Sequence, residues 1–373
     1  MQIVVDENLS LTDYFFSSFG EVTAYAGRGI YAENLKVADA LLVRSVTKVT
    51  PKLLQDATAL SPTHQRVKFV GSATIGMDHL DVEGLRAMGV IVANAPGCNA
   101  QAVAEYVVTA ILMVQPKRAL SDSFTLGIVG LGNVGTRLNR LAKRLGWRVI
   151  GVDPFVTHAD IEQVTLAEML PQVDAVSIHV PLTQHRANAT YHLMDEQALA
   201  LMKPDTILIN TARGPVVKEA ALLADFNLSQ SSGEPIRSVV LDVFEHEPRI
   251  SNTLLANLAI ATPHIAGYTL EGKARGTEMV YQAFCQWQGI KPQLTLEGML
   301  PSMPKLFDQK YSLLEQLPQL LPQISSMHAD DLALRACLKQ DSSGEQSIDP
   351  VDFDRLRRDY PLRREWSSYG DQG

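Results

Sequence analysis

Three ionisable side chains, Arg213, Glu247 and His264, each follow a short apolar run, and together they could hold an anion and move a proton. Arg213 closes Ile209-Asn210-Thr211-Ala212-Arg213, where a guanidinium can grip a carboxylate through two parallel hydrogen bonds. His264 lies in Thr262-Pro263-His264-Ile265-Ala266-Gly267. Imidazole titrates near working pH, so it suits taking a hydroxyl proton while the neighbouring C–H bond gives up a hydride. A carboxylate beside the ring would orient it and favour its charged form. The stretch Asp242-Val243-Phe244-Glu245-His246-Glu247-Pro248 offers several acids, and spacing alone does not select Glu247. Read one at a time, the arginine is an ordinary surface ion-pair former, the acid a solvated loop residue and the histidine a structural one. The case for chemistry depends on what positions them.

Residues 126–153, LGIVGLGNVGTRLNRLAKRLGWRVIGVD, supply that context. An apolar strand feeds Gly130-Leu131-Gly132-Asn133-Val134-Gly135, a helix follows with Leu138, Leu141, Ala142 and Leu145 on one face, and a second strand ends on Asp153. Gly130 allows the tight turn. Gly132 lets the amides of Asn133 and Val134 approach a pyrophosphate at the positive helix end, and Gly135 lets helix pack on strand. Asp153 stands where a carboxylate accepts the adenosine ribose hydroxyls and repels a 2′-phosphate, which favours NAD over NADP. A bare glycine triplet would mean little. Strand, glycines, helix, strand and acid at this spacing predict a dinucleotide-binding Rossmann unit.

About 120 residues precede that unit, so another domain comes first. The chain has 373 residues, enough for two or three domains, with 46% hydrophobic and 20% charged residues. A formal charge of −8 argues against non-specific binding to nucleic acid. No apolar run suggests a membrane span, and the start Met1-Gln2-Ile3-Val4-Val5-Asp6 lacks a secretory pattern, so the cytoplasm is the default. Cys98, Cys285 and Cys337 are too scattered for a disulfide framework or a zinc site, and no metal is expected. Strands are predicted at 3–5, 40–43, 67–70 and 90–93, then at 174–180, 206–210, 238–243 and 258–261, and their alternation with helices predicts a doubly wound parallel sheet. Asn99 is a candidate cap for an apolar helix over 100–114. Residues 229–233 read as a polar surface loop. Beyond about residue 290, Pro292, Pro301, Pro304, Pro318 and Pro322 interrupt the chain. Leu332, Leu334, Ala336 and Leu338 alternate like a strand, Phe353, Leu356 and Tyr360 have helical spacing, and Arg355, Arg357 and Arg358 read as a solvated basic face.

The glycine clamp, Asp153, the Asn-Thr-Ala-Arg-Gly and Glu-His-Glu-Pro segments and Thr-Pro-His-Ile-Ala-Gly together resemble the D-isomer-specific 2-hydroxyacid dehydrogenases. Residues 43–49, 76–79, 96–100, 264–276 and 363–368 narrow the resemblance to a branch that oxidises a phosphorylated hydroxy acid, over nearly the whole chain. The resemblance implies a flavodoxin-like substrate domain (1–96 and 266–290), an NAD-binding Rossmann domain (97–265) and a smaller C-terminal α+β dimerisation domain (291–373), hence a homodimer. It implies that His264 is the acid/base, Glu247 its partner and Arg213 the carboxylate clamp. Ser45, Thr74 and Tyr268 would contact substrate, and Asp153, Val180, Asp242 and Gly267 would contact NAD. Two positions depart from the branch: His246 stands where glycine is usual, and Met77 where threonine is. Arg44, Lys48, Lys273 and Arg275 are all open as phosphate ligands. Two competing functions keep the same motifs: a phosphoglycerate- or glyoxylate-type dehydrogenase, and a nicotinamide-sensing corepressor.

Overall fold

The computed structural model describes residues 1–61, 67–121, 123–184, 187–233, 236–340 and 344–371. The chain forms two compact units, Met1–Asn99 with Thr269–Ser302, and Ala100–Tyr268 with Met303–Gly373.

In the first unit five strands make one sheet: β1 (Gln2–Asp6), β2 (Glu21–Tyr25), β3 (Ala40–Val43), β4 (Phe69–Ser72) and β5 (Ile91–Ala93). Their order, β2-β1-β3-β4-β5, is parallel throughout and is that of a flavodoxin-like fold. The central strands β3 and β4 are buried along their whole length, as expected of parallel strands covered on both faces. The helix Leu270–Trp287 lies on one face, where Val280, Phe284 and Cys285 pack with Phe15, Phe16 and Phe69. Phe284 meets Phe16, Phe19 and Phe69 edge-on, the favoured geometry for aromatic pairs. Met77 packs with the apolar side chains of the opposite face, so the thioether at this position serves the core.

The second unit carries seven parallel strands: β6 (Thr125–Val129), β7 (Arg148–Val152), β8 (Glu162–Gln163), β9 (Ala175–Ile178), β10 (Ile207–Asn210), β11 (Val239–Leu241) and β12 (Ile260–Ala261). Their order is β12-β11-β10-β9-β6-β7-β8, and the order in which strands are added reverses between β6 and β9. Ligands bind outside the carboxyl ends of the strands at such a switch point. The helix Ala100–Val114 is apolar nearly all round and buried nearly all round, packed against the helix Asn133–Arg144. Asn99 does not cap it: its side-chain oxygen is buried without a hydrogen-bond partner.

Three sequence expectations give way to packing. Residues 229–232 are not loop but the last turn of the helix Glu219–Ser232, which ends on Gly233 in the left-handed conformation. Pro318 and Pro322 do not break the chain, because both lie inside the helix Leu313–Ile324. An interior proline costs about 3 kcal/mol. Here Leu313, Leu317, Leu321 and Ile324 bury one continuous face, which offsets that cost. The alternation at 332–338 belongs mostly to a helix, Met327–Arg335, and only Leu338 enters a strand, β13 (Leu338–Gln340), paired antiparallel with β14 (Gln346–Ile348). A last helix spans Pro350–Arg358. These elements pack with the Rossmann sheet as one unit: Phe307, Trp366 and Tyr369 join the cluster of Val107, Ile111 and Leu138. No helix among the described residues is long and apolar enough to cross a membrane.

Candidate active site

The glycine turn has the geometry its spacing implies. Gly130 has φ +94°, and a side chain there would strike the His179 backbone. A Cβ on Gly135 would lie 2.1 Å from the Gly130 carbonyl oxygen, so the helix rests directly on the turn. Gly132 caps the helix, with nothing within 4 Å of where a Cβ would stand. Open space over the first amides, at Asn133 and Val134, is what an approaching pyrophosphate needs. Asp153, one residue beyond β7, accepts from Leu131 N (2.9 Å), Phe155 N (2.9 Å) and Val156 N (3.2 Å). A carboxylate offers about four acceptor directions, so it keeps capacity for a ribose hydroxyl. Val180, beyond β9, lies against the turn, 3.0 Å from the position of a Gly130 Cβ.

Beyond β10, β11 and β12 lie the three proposed chemical groups. Buried Asn210 shapes the first loop, accepting from Ala212 N (3.0 Å) and donating to the Arg213 carbonyl (2.9 Å). Gly214 then approaches so closely that a Cβ would sit 1.8 Å from the Phe244 carbonyl oxygen, which ties the arginine loop to the acidic loop. There the geometry separates the two acids that spacing could not. Glu245 pairs with His192 (2.6 Å) and accepts from Glu219 N (2.7 Å). Glu247 takes Phe244 N on one oxygen (2.9 Å) and His264 Nδ1 on the other (3.0 Å). Burial presses the Glu247 pKa upward, but His264, the Phe244 amide and Arg357 outweigh it and hold the carboxyl below its usual range. It therefore stays ionised against the ring. His246 is exposed.

Asp242, expected to contact NAD, is buried beyond β11 and holds the histidine loop. Oδ1 accepts from Thr262 Oγ1 and Ile265 N, both at 2.7 Å, and Oδ2 from Ala266 N at 2.9 Å. Burial pushes its pKa up to about 6, against the pull of His264 and these donors. It anchors the loop that presents His264, whose backbone is left-handed at φ 57°. Gly267 follows directly. Tyr268 OH accepts from Arg357 (3.4 Å) and its ring meets Tyr360 edge-on. Arg357 is thus no part of a solvated face: its Nε is buried without a partner, and its charge acts on Glu247. Nothing in the local helical spacing distinguishes it from Arg355 and Arg358, which pair with Asp352 and Asp359.

The remaining candidates lie in the first unit. Ser45 is exposed just beyond β3, and Thr74, beyond β4, bonds to Ser72 Oγ (2.7 Å) and the Gly76 carbonyl (3.0 Å). Arg275 donates to the Cys98 carbonyl (2.5 Å), and Arg44 to the Asn8 carbonyl (3.3 Å). Lys273 is depressed to about pKa 8 by burial and by Arg44, with buried Asp6 opposing the shift.

A histidine–glutamate pair beyond the strands of a dinucleotide-binding sheet, with an arginine loop locked beside it, defines a D-2-hydroxyacid dehydrogenase. The model of the D-isomer specific 2-hydroxyacid dehydrogenase NAD binding domain matches residues 114–266. The chain belongs to the erythronate-4-phosphate dehydrogenase family: the enzyme from Acinetobacter baumannii is 54% identical over 99% of both chains. The Psychrobacter cryohalolentis enzyme is 42% identical over 99% of this chain and 97% of its own. It is accordingly an NAD-dependent dehydrogenase. Solved structures agree in fold. D-lactate dehydrogenase from Aquifex aeolicus, complexed with NAD and lactic acid, gives a TM-score of 0.60 at 24% identity over 78% of this chain and 96% of that one. An NAD⁺-bound 3-phosphoglycerate dehydrogenase of Entamoeba histolytica gives 0.62 at 23% identity, over 79% and 98%.

Proposed function

We propose that the protein oxidises 4-phospho-D-erythronate to 3-hydroxy-2-oxo-4-phosphooxybutanoate, a step in making pyridoxal phosphate, with His264 as the proton acceptor. The observation that carries this reading is the 3.0 Å contact between His264 Nδ1 and Glu247 Oε2. With Nδ1–H donating to an ionised carboxylate, Nε2 is left as the acceptor, and the imidazolium formed is stabilised by the same partner. NAD, when bound, accepts the hydride from C2. Gly130, Gly132, Asn133, Val134 and Gly135 would hold its pyrophosphate and Asp153 its ribose, with Val180 and Gly267 contributing backbone. Asp242 would contact NAD as well as hold the histidine loop.

Arg213 binds the substrate carboxylate and steadies negative charge developing on the C2 oxygen. Ser45, Thr74 and Tyr268 are assigned as further substrate contacts. For the phosphate we favour Arg44 and Lys273 among the basic residues, because the Arg44 charge acts on the Lys273 ammonium, and an anion between two cations relieves their repulsion. The working form is a homodimer in the cytoplasm, a compartment in keeping with three buried cysteines that form no disulfide.

The test is anaerobic mixing of enzyme, NAD and 4-phosphoerythronate while nicotinamide absorbance is followed. His264→Gln is expected to bind NAD normally and to lose about 10²–10⁴ in turnover, and near-normal turnover would remove His264 from the mechanism. Rates on 3-phosphoglycerate and glyoxylate separate the neighbouring specificities.

A further inference from the structure

The loop carrying His264 is gripped from two sides, and only one grip comes from the Rossmann sheet. A non-glycine residue in the left-handed region is strained by about 1–3 kcal/mol, so the φ of 57° at His264 must be imposed by its surroundings. On the amide side Asp242 accepts from Ile265 N and Ala266 N. On the carbonyl side Arg363 Nη2 donates to Ala266 O at 2.5 Å, with Ile265 O at 3.4 Å. The Arg363 guanidinium lies 5.6 Å from the centre of the Tyr106 ring, within cation–π range. Tyr106 OH in turn bonds Thr262 Oγ1 at 2.6 Å, and Thr262 bonds Asp242. A closed circuit, Asp242–Thr262–Tyr106–Arg363–Ala266, therefore ties together the backbone on both sides of His264.

Arg363 comes from the far end of the chain, and that end is fastened. Trp366 N donates to both carboxylate oxygens of Glu105 (3.1 Å each), and the Trp366 side chain is buried. Asp371 makes a two-point ion pair with Arg144. The guanidinium is thus carried on a tail anchored at two later points to the helices Ala100–Val114 and Asn133–Arg144. Carbonyl oxygens pulled by Arg363 and amides pulled by Asp242 fix the peptide planes after His264, which sets where Nε2 points while Nδ1 stays on Glu247.

We propose that Arg363 is a positioning residue for His264, so that the C-terminal tail is a working part of the catalytic loop. The inference rests on His264 being the proton acceptor. A misplacement of about 1 Å at a reacting group costs on the order of 10²-fold. The full-length enzyme with NAD and 4-phosphoerythronate is compared as wild type, Arg363→Met, Arg363→Lys, His264→Gln and the Arg363→Met/His264→Gln double variant. Arg363→Met is expected to lower kcat about tenfold to a hundredfold while KM for NAD stays within about twofold. The isotope effect with C2-deuterated substrate should rise as proton and hydride movement become limiting. Arg363→Lys should recover part of kcat, since one N–H donor to Ala266 O survives. It carries the test should the methionine variant not fold.

In the double variant the arginine change should add no further loss, because it acts through the missing imidazole. Wild-type kcat in Arg363→Met, an unchanged kcat in Arg363→Lys where methionine cannot fold, or losses that multiply in the double variant would each overturn the positioning role. Near-normal turnover in His264→Gln would instead defeat the proton-acceptor reading itself.

Discussion

Lys273 holds a charge where the fold would be more stable without one. Burial and Arg44 both disfavour its ammonium, and the pKa falls to about 8 from the ordinary 10.5 although Asp6 opposes the shift. Between those values the folded chain binds fewer protons than the unfolded chain, so stability rises with pH across that window and the penalty is complete below it. Lys273→Met is therefore expected to raise the melting temperature at pH 7 and to flatten the rise between pH 8 and 10.5; a lower melting temperature at pH 7 contradicts this account. The same variant should raise KM for the phosphorylated acid, the usual exchange of function for stability. At this scale Arg213 and His264 were legible as candidates because each lies within three residues of a strand's carboxyl end, which in a parallel sheet means the ligand side. Glu247 was not separable from Glu245 by spacing, since only the partners, His264 against His192, distinguish them. Asp242 was legible as an acid beyond a strand but not as a loop anchor, because its partners are backbone amides that any sequence would supply.

The strand–turn–helix that starts the Rossmann sheet allows its two functions, folding and cofactor approach, to be separated by adjacent glycines. A methyl group at Gly135 would meet the Gly130 carbonyl at 2.1 Å, backbone against backbone. Gly135→Ala should therefore push the helix Asn133–Arg144 off the turn, at about 1–3 kcal/mol of stability, and weaken NAD binding with it. At Gly132 the φ is −73° and the space is open, so Gly132→Ala should stay within about 1 kcal/mol of wild type. Its methyl would nevertheless stand in the proposed path of the pyrophosphate, and KM for NAD should rise. A Gly132→Ala enzyme with unchanged KM for NAD would mean that the cofactor does not cross this residue. Elements of this kind were readable because strand, glycine and helical periodicity all agree. The C-terminal elements were not, and the reason is local: proline chemistry argues against a helix over 313–324, yet the buried stripe of Leu313, Leu317, Leu321 and Ile324 decides the outcome. Likewise Leu332 and Leu334 alternate in sequence, but one is exposed and the other wholly buried on a helix, a pattern that period-two reading cannot resolve.

The chain as a whole divides into two units, each closed by a segment distant in sequence: residues 269–302 complete the first and 303–373 the second. Composition marks where the chain changes character near residue 290 but carries no information about which surface it then packs on. That was settled by Phe307, Trp366 and Tyr369, which bury themselves with the Rossmann helices. The second unit still leaves apolar side chains in water, among them Met113, Leu120, Leu332 and Val351. Leu112, Met113, Pro116 and Leu120 also line a cavity of about 490 Å³ with Pro318, Leu321 and Pro322. A homodimer joined through apolar surface of this kind would bring together two chains that each carry a formal charge of −8. Their long-range repulsion is screened by salt, with a Debye length of about 8 Å at physiological ionic strength against about 30 Å at 0.01 M. Apolar association is not weakened in the same way, whereas contacts made by ion pairs are. Sedimentation at micromolar concentration is thus expected to show a dimer whose dissociation constant falls as sodium chloride rises from 0.01 to about 0.15 M. A monomer throughout would reject the dimer. A dimer that loosens with salt would keep the assembly but assign its interface to charged side chains, and the apolar surface of the second unit would then have to serve something else.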